Sequence, residues 1–172
     1  MKDGRSMNHI FSPWRMKYVM KPKERTNGCV FCNVLRMDDG PENLVLYRGK
    51  HSFVILNQFP YTSGHTMVVP YAHQPSFENL TQSTLYEIMD LMSFTTRVIR
   101  EVYQPEGFNI GVNIGVAAGA GIAPHVHFHI VPRWVGDTNF TTTLAETRVL
   151  PEDLCDTYQK LKATWDKQFH TF

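Results

Sequence analysis

Three histidines occupy alternate positions in the chain, at His125, His127 and His129. The residues between and directly after them are apolar, namely Val126, Phe128 and Ile130. Successive side chains of a β-strand point to opposite faces, so we expect the imidazoles to share one face and the apolar residues to face the core. Imidazole acts as nucleophile, proton carrier or metal ligand near neutral pH. The strict alternation favours a chemically active strand over satisfied core histidines or an adventitious metal site.

A glycine-rich segment, residues 115–121, leads into this triad. Small residues let backbone N–H groups approach a ligand closely, and successive N–H groups in a turn bind anions. A glycine-rich turn alone is weak evidence, because many hairpins need glycine for a positive φ. In front of three aligned histidines, the segment predicts a phosphate group held beside a nitrogen nucleophile.

The composition is that of an ordinary single domain. The chain has 172 residues, and 17 Lys and Arg balance 16 Asp and Glu, so no global charge attracts a long polyanion. No apolar stretch approaches the roughly 20 residues of a membrane helix. Residues 1–20 lack the apolar core of a secretory signal, and three cysteines argue against a disulfide framework. We therefore expect a cytoplasmic protein without nucleic-acid or membrane partners.

The hydrophobic pattern predicts five strands and two helices. The strands are expected at residues 44–47, 53–57, 66–70, 108–115 and 125–132. A long helix is expected from Thr81 or Thr84 to Tyr103, with Thr84 and Glu87 as a capping box, and a second helix after residue 150. Residues 1–26 are basic and sparsely apolar, which indicates an N-terminal arm before a single domain of residues 27–172.

A cysteine pair, Cys29 and Cys32, has the spacing of half a tetrahedral zinc site, because two thiolates from one tight turn reach the same ion. The redox interpretation of such a pair expects a strand, a turn and a helix around it, and this pattern is missing here. A reduced pair without metal is the remaining alternative.

The triad, followed by Ile130 and Val131, resembles the signature of the histidine-triad (HIT) family of nucleotidyl hydrolases and transferases. The similarity extends over about residues 27–134 and includes the family's Gly-His-hydrophobic-Pro-x-x-His segment at residues 64–73, the strand at 53–57 and the cysteine pair. The flanking sequence resembles a bacterial subgroup that includes diadenosine tetraphosphate phosphorylases. Its matching residues are Pro13, Trp14, Arg15, Tyr18 and the run 136–140. The resemblance implies an α+β fold, in which an antiparallel sheet of about five strands packs against one long helix and a C-terminal helix follows.

The resemblance also implies a role for each site residue. His127 is expected to be the nucleophile that forms a nucleotidyl-histidine, and His129 to hydrogen-bond a phosphate oxygen. Asn57 is expected to hold the ribose, and His65 to contact the ribose or phosphate or to cap its turn. The other nucleotide-binding candidates are Asn113 with the backbone of Gly119, Gly121 and Ile122 for phosphate, and Trp134 for the base or simply for the core.

Zinc-bearing members of the family supply the expected metal ligands. By this resemblance His73 and His125 complete a site with Cys29 and Cys32. A shell of two cysteines and two histidines has no open position, so the zinc would be structural. It would also remove His125 from the candidates for the nucleophile.

One departure from the family pattern bears on the reaction. Many family hydrolases carry glutamine or a similar polar residue four positions before the first triad histidine, where this chain has Gly121. The missing side chain leaves room for inorganic phosphate as second acceptor, which favours a dinucleoside polyphosphate phosphorylase. A hydrolase, an adenosine phosphoramidase, a regulatory nucleotide-binding protein and a zinc-stabilised interaction module are the alternatives. The resemblance further implies a homodimer or homotetramer.

Overall fold

The computed structural model describes residues 28–138 and 152–169, in which five strands form one antiparallel sheet. The strands are β1 (Val45–Arg48), β2 (Ser52–Leu56), β3 (Thr66–Pro70), β4 (Gly107–Val112) and β5 (Phe128–Arg133), in the spatial order β1-β2-β3-β5-β4. The helices are α1 (Val30–Val34), α2 (Gln82–Tyr103) and α3 (Leu154–Phe169), with short 3₁₀ turns at Phe77–Asn79 and Val116–Ala118. The predicted α+β class, the five-stranded sheet and both longer helices are confirmed. The predicted arm, with Pro13, Trp14, Arg15 and Tyr18, lies outside the described residues, as do Asn139 and Phe140.

Helix α2 starts one turn earlier than a capping box at Thr84 would place it. The N-cap is Thr81, whose hydroxyl oxygen accepts the Thr84 N–H at 3.3 Å. Glu87 therefore has no capping role, and the predicted box is wrong. Its carboxylate instead accepts the N–H groups of Lys50 and His51, each at 2.6 Å, and ties the β1–β2 turn to the helix. No helix in the described residues is long and apolar enough to cross a membrane.

The core lies between the sheet and the two longer helices. Helix α2 packs on β2, β3 and β5, and α3 packs on α2 and β1. Trp165 of α3 is 1% exposed, with its ring 5.2 Å from Tyr47 and 4.6 Å from Phe94. Ile130 belongs to this core, so the alternation along β5 places His129 on the opposite face of the sheet. The two longer helices thus cover the face opposite His129, whereas Phe31 of α1 packs on the histidine face against Phe53 and His127.

Strand β5 begins at Phe128, three residues later than the pattern predicts. The register pairs Val68 with Phe128, so a continued antiparallel ladder would place Val126 opposite Pro70. Proline has no N–H to donate, and the ladder stops there. The Val126 N–H donates instead to the Gln74 carbonyl at 2.7 Å. Only His129 of the triad therefore lies in a regular strand. Strand β4 likewise ends at Val112, before the predicted residue 115.

Candidate active site and metal centre

Four predicted metal ligands converge on one point. The ligating atoms of Cys29, Cys32, His73 and His125 all lie within 4.8 Å of one another. The Cys29 Sγ is 3.3 Å from Nδ1 of His125, and the Cys32 Sγ is 3.4 Å from Nδ1 of His73. Cys29 and Cys32 come from the start of α1, His73 follows β3, and His125 precedes β5. Two thiols and two imidazoles that meet in this way suit a tetrahedral ion such as Zn²⁺.

A hydrogen bond to the main chain sets the tautomer of His125. Its Nε2 lies 2.9 Å from the carbonyl oxygen of Pro70, which only accepts, so Nε2 carries the proton. Burial lowers the pKa of His125, which keeps the imidazole neutral. Its Nδ1 lone pair is then directed at the two thiols. A backbone partner on the far ring nitrogen is the usual arrangement around a metal-ligating histidine.

The middle histidine, His127, is held in the complementary tautomer. It is 4% exposed, and its Nδ1 lies 2.9 Å from the main-chain carbonyl oxygen of His125. The carbonyl requires the proton on Nδ1, so Nε2 presents a lone pair. Burial lowers the pKa of His127, and the ring is neutral at pH 7. A neutral imidazole with a free Nε2 is a nitrogen nucleophile.

Two successive hydrogen bonds, from Tyr61 to His65 and from His65 to His129, set the tautomer of His129. The Tyr61 N–H donates to Nδ1 of His65 at 3.1 Å, so His65 carries its proton on Nε2. That nitrogen lies 2.9 Å from Nδ1 of His129 and donates to it, which leaves His129 with an N–H at Nε2. The ring centroids of His127 and His129 are 4.8 Å apart. A nucleophilic lone pair and a hydrogen-bond donor therefore lie next to each other.

His65 and Asn57 stand behind the triad in this arrangement. His65 is 1% exposed, and its two ring nitrogens are used by Tyr61 and His129, which favours a positioning role over direct contact with a nucleotide. The Asn57 amide nitrogen lies 3.4 Å from Nε2 of His65, and its Oδ1 accepts the Phe59 N–H at 2.9 Å. Ribose binding by Asn57 stays a prediction, in which this local hydrogen bond would have to be shared or exchanged.

The glycine-rich segment forms an exposed loop directly before the histidines. Gly115 and Gly119 have φ values of 78° and 83°, in the left-handed region where glycine is favoured. Between them lies the 3₁₀ turn Val116–Ala118. Gly119 and Gly121 are exposed, whereas Asn113 and Ile122 are half-buried, and phosphate binding by these four residues stays a prediction.

Trp134 is separated from the triad by the length of β5. Five residues beyond His129, it lies roughly 15 Å further along the sheet at the usual rise per strand residue. The main-chain N–H of Trp134 donates to Asp137 Oδ2 at 3.1 Å, and the same carboxylate pairs with Arg133 at 2.6 Å. Strand geometry therefore separates the Trp134 backbone from the histidines of its own chain, and the main chain of Trp134 closes the turn after β5. A role of the half-buried ring in base binding stays a prediction.

Two aromatic side chains that the sequence analysis did not single out contact the histidines. The Phe31 ring is 5.0 Å from His127 and 5.3 Å from His125, and it lies between the two cysteines in sequence. The Tyr61 ring is 4.6 Å from His65 and stacks at 6.2 Å on His129. The only sequence signals were an aromatic residue inside the cysteine pair and another four residues before His65.

Comparison with known proteins agrees with this arrangement. The HIT domain matches residues 41–135, which is more than half of the chain. The chain belongs to the HIT-domain family. An AP-4-A phosphorylase of Mycobacterium tuberculosis is 38% identical over 169 residues, which cover 94% of this HIT chain and 86% of that protein. An asymmetrical bis(5'-nucleosyl)-tetraphosphatase of Schizosaccharomyces pombe is 38% identical over 93 residues, covering 54% of this chain and 50% of that protein.

Solved structures of HIT proteins share the fold. A zinc-bound histidine triad family protein from Mycobacterium smegmatis superimposes with a TM-score of 0.67 at 28% identity, over 84% of this chain and 98% of that chain. A hypothetical histidine triad nucleotide-binding protein from Sulfolobus tokodaii gives a TM-score of 0.63 at 26% identity, over 83% and 93%.

We predict that His129 titrates at a lower pH than an ordinary histidine. Burial, followed by the nearby His127, lowers the pKa of His129 from 6.5 to about 4. In the unfolded chain His129 binds a proton near pH 6.5, whereas in the folded chain it stays neutral down to about pH 4. The free energy of unfolding therefore decreases as the pH falls from 6.5 to 4, by roughly 3 kcal/mol once the histidine is protonated in both states. NMR titration of the ring Cε1 protons should show a midpoint well below 6.

A His129→Gln variant supplies both the assignment and the control. The resonance that titrates at low pH should be missing from its spectrum. Its free energy of unfolding should also fall less than that of the wild type between pH 7 and pH 4.5. A His129 midpoint above pH 6 would contradict the neutral, half-buried donor.

Proposed function

We propose that this HIT protein is a nucleotidyl transferase that acts on dinucleoside polyphosphates, in the manner of a diadenosine tetraphosphate phosphorylase. The proposal rests on one hydrogen bond, in which Nδ1–H of His127 donates to the His125 carbonyl oxygen. This bond leaves the lone pair of His127 on Nε2, next to the ring of His129. The similarity to an AP-4-A phosphorylase over 94% of the chain supports the substrate class.

In the first half of the reaction, His127 attacks one phosphorus of the substrate. Its Nε2 forms a P–N bond as the P–O bond to the departing nucleoside polyphosphate breaks, which gives a nucleotidyl-histidine. The ring becomes positively charged, and the His125 carbonyl stabilises this charge through Nδ1–H. The N–H of His129 donates to a phosphate oxygen and stabilises the negative charge that develops there.

In the second half, an acceptor oxygen attacks the same phosphorus and the P–N bond breaks. His127 returns to its neutral form and is ready for another cycle. With diadenosine tetraphosphate, inorganic phosphate as acceptor gives ADP and ATP, whereas water gives AMP and ATP. The exposed Gly121 has no side chain to occupy the acceptor's place, which supports phosphate. A hydrolase or an adenosine phosphoramidase would use the same nucleophile with water.

The acceptor is tested by incubating the protein with diadenosine tetraphosphate and ¹⁸O-labelled phosphate. We expect ADP and ATP only when phosphate is present, with the label in ADP, measured by chromatography and mass spectrometry. The His127→Ala variant should lose at least about a thousandfold in kcat because no covalent intermediate forms. His51→Ala, which removes a histidine from the β1–β2 turn, is the matched control and should retain activity.

The alternatives give different results in the same experiment. AMP and ATP that form independently of phosphate would indicate a hydrolase. Binding of the substrate without turnover, unchanged in His127→Ala, would indicate a regulatory nucleotide-binding protein. If diadenosine tetraphosphate neither binds nor reacts, the substrate class is wrong, and adenosine phosphoramidates become the next substrates.

We further propose that Cys29, Cys32, His73 and His125 hold one structural zinc ion. The convergence of their ligating atoms and the zinc-bound relative from M. smegmatis support this assignment. When bound, the ion would occupy a closed shell and fix the start of α1 against the histidine segment. Thiolate ligands require reduced cysteines, which fits a reducing compartment such as the cytoplasm.

Metal analysis tests the zinc proposal directly. The purified protein should contain about one zinc per chain by inductively coupled plasma mass spectrometry. Cys32→Ser should lose the metal and lower the melting temperature, since one thiolate ligand is removed. Cys155→Ser, at an exposed position of α3, is the matched control and should retain both. Equal zinc content in the two variants would place the metal elsewhere.

The edge of the sheet supports a homodimer. Strand β4 pairs only with β5 among the described strands, and residues 109–111 are exposed. Ile110 is 48% exposed in the middle of this edge. An unpaired edge is a template for another strand, and a second copy of β4 would continue the sheet across a two-fold axis.

Light scattering during gel filtration tests this assembly. We expect a mass of about 40 kDa, twice the 19.8 kDa of the chain, or twice that again for a homotetramer. Ile110→Asp should shift the protein toward monomer, because a charge then lies at the new interface. Met37→Asp, a similar change at an exposed methionine after α1, should not change the mass. A monomeric wild type would contradict the dimer.

A further inference from the structure

The Phe31 side chain links the cysteine pair to the proposed nucleophile. Phe31 is the buried residue of the five-residue helix α1 and is 3% exposed. Its ring centroid lies 5.0 Å from that of His127 with an interplanar angle of 52°, and 5.3 Å from that of His125 at 73°. The geometry is that of aromatic rings in close contact. The turn that supplies two candidate metal ligands thus also places an aromatic ring on His127.

The hydrogen bond to the His125 carbonyl does not by itself fix the plane of His127. It holds Nδ1, but the ring still turns about its Cβ–Cγ bond unless its faces are blocked. His129 lies against one part of the ring at 4.8 Å, and Phe31 lies against another at 5.0 Å. Removing the Phe31 ring would open a cavity beside the imidazole and permit other ring orientations. Nε2 would then point toward the reacting phosphorus for only part of the time.

We infer that Phe31 is a positioning residue for the nucleophile, which holds the His127 imidazole with Nε2 toward the substrate. The catalytic part of this inference rests on the proposed function. Two groups fix His127, and both are tied to the cysteine–histidine cluster of Cys29, Cys32, His73 and His125. One is the main-chain carbonyl of His125, and the other is the ring of Phe31, which lies between the two cysteines in sequence. The cluster therefore acts on the reaction through orientation, without contact with the substrate.

Two other roles for Phe31 predict different behaviour. A residue that only fills the core would lower stability without a selective effect on His127. A wall for the substrate base would mainly change KM, but an exposure of 3% leaves little of the ring to contact a ligand. A positioning residue lowers kcat with KM nearly unchanged, because the substrate binds as before and the nucleophile is misaligned.

The matched variants are Phe31→Leu and Phe53→Leu. Phe53 is fully buried and lies 6.5 Å from Phe31, yet its stacking partner is Tyr71 rather than a histidine. The two substitutions therefore remove the same atoms from the same core. Phe31→Met is a milder variant in case Phe31→Leu does not fold, because methionine adapts to irregular space.

Two readouts are needed, since one of them must not depend on the substrate. The first is kcat and KM for diadenosine tetraphosphate. We expect Phe31→Leu to lower kcat at least about tenfold with KM within threefold, and Phe53→Leu to change neither beyond threefold. The second is the ¹⁵N spectrum of histidine-labelled protein, where His127 should give one Nδ1–H tautomer in the wild type and in Phe53→Leu. In Phe31→Leu this signal should broaden or be replaced by two tautomers.

Every outcome decides the inference. An unchanged His127 spectrum in Phe31→Leu overturns it, even if the protein turns over no dinucleotide, so failure of the proposed substrate is recognised separately. A rise in KM alone would make Phe31 a substrate contact, and equal effects in the two leucine variants would make it ordinary core. If Phe31→Leu loses zinc, an identical His127 spectrum in Cys32→Ser would assign the orientation to the cluster and overturn the role of the ring.

Discussion

The candidate site depends on one hydrogen bond, from Nδ1 of His127 to the main-chain carbonyl oxygen of His125. Its length of 2.9 Å fixes which ring nitrogen carries the proton, and so which one has a lone pair for chemistry. Because the acceptor belongs to the backbone, a substitution of the His125 side chain leaves this carbonyl in the chain. The rest of the structure holds this carbonyl in place and keeps the ring in its plane.

The backbone around His125 lies just beyond the end of the β3–β5 ladder. A regular strand would use the local carbonyls and N–H groups for pairing across the ladder. Pro70 ends the pairing of β3 with β5, and its carbonyl accepts from the His125 ring instead. The Val126 N–H then bonds to Gln74, on the segment that follows His73. Because Pro70 has no N–H, the backbone next to His125 is not paired with β3, and its carbonyl can accept the hydrogen bond of His127.

The sequence predicted those parts of the molecule that depend on local pattern. Alternation and helical spacing placed the five strands and two longer helices within a few residues. The cysteine spacing indicated half of a metal site, and the family resemblance supplied His73 and His125, which the structure gathers with the cysteines. The start of β5 was predicted wrongly because it depends on Pro70, a residue from another strand. The capping box was predicted wrongly because Thr81 and Thr84 are chemically alike, and only Thr81 has the extended backbone of an N-cap.

The contacts that prepare the histidines were beyond any local pattern. Phe31 and His127 are 96 residues apart in sequence, and their rings meet only after the sheet has formed. The proton order of His65 depends on the backbone N–H of Tyr61, which every residue but proline would supply. The sequence therefore indicated the histidines of the candidate site, whereas the contacts of Phe31 and Tyr61 and the tautomers required the fold.

The three triad histidines have the same side chain and differ in the partner of one ring nitrogen. His125 donates from Nε2 to a carbonyl and directs Nδ1 at the thiols, whereas His127 donates from Nδ1 and leaves Nε2 free. His129 accepts at Nδ1 from His65 and keeps an N–H at Nε2. Alternation along the chain explains why the imidazoles lie together, but it would give three equivalent rings. The proposed roles of ligand, nucleophile and donor become distinct because each ring meets a different fixed partner. Two of these partners are backbone carbonyls, which a side-chain substitution leaves in place.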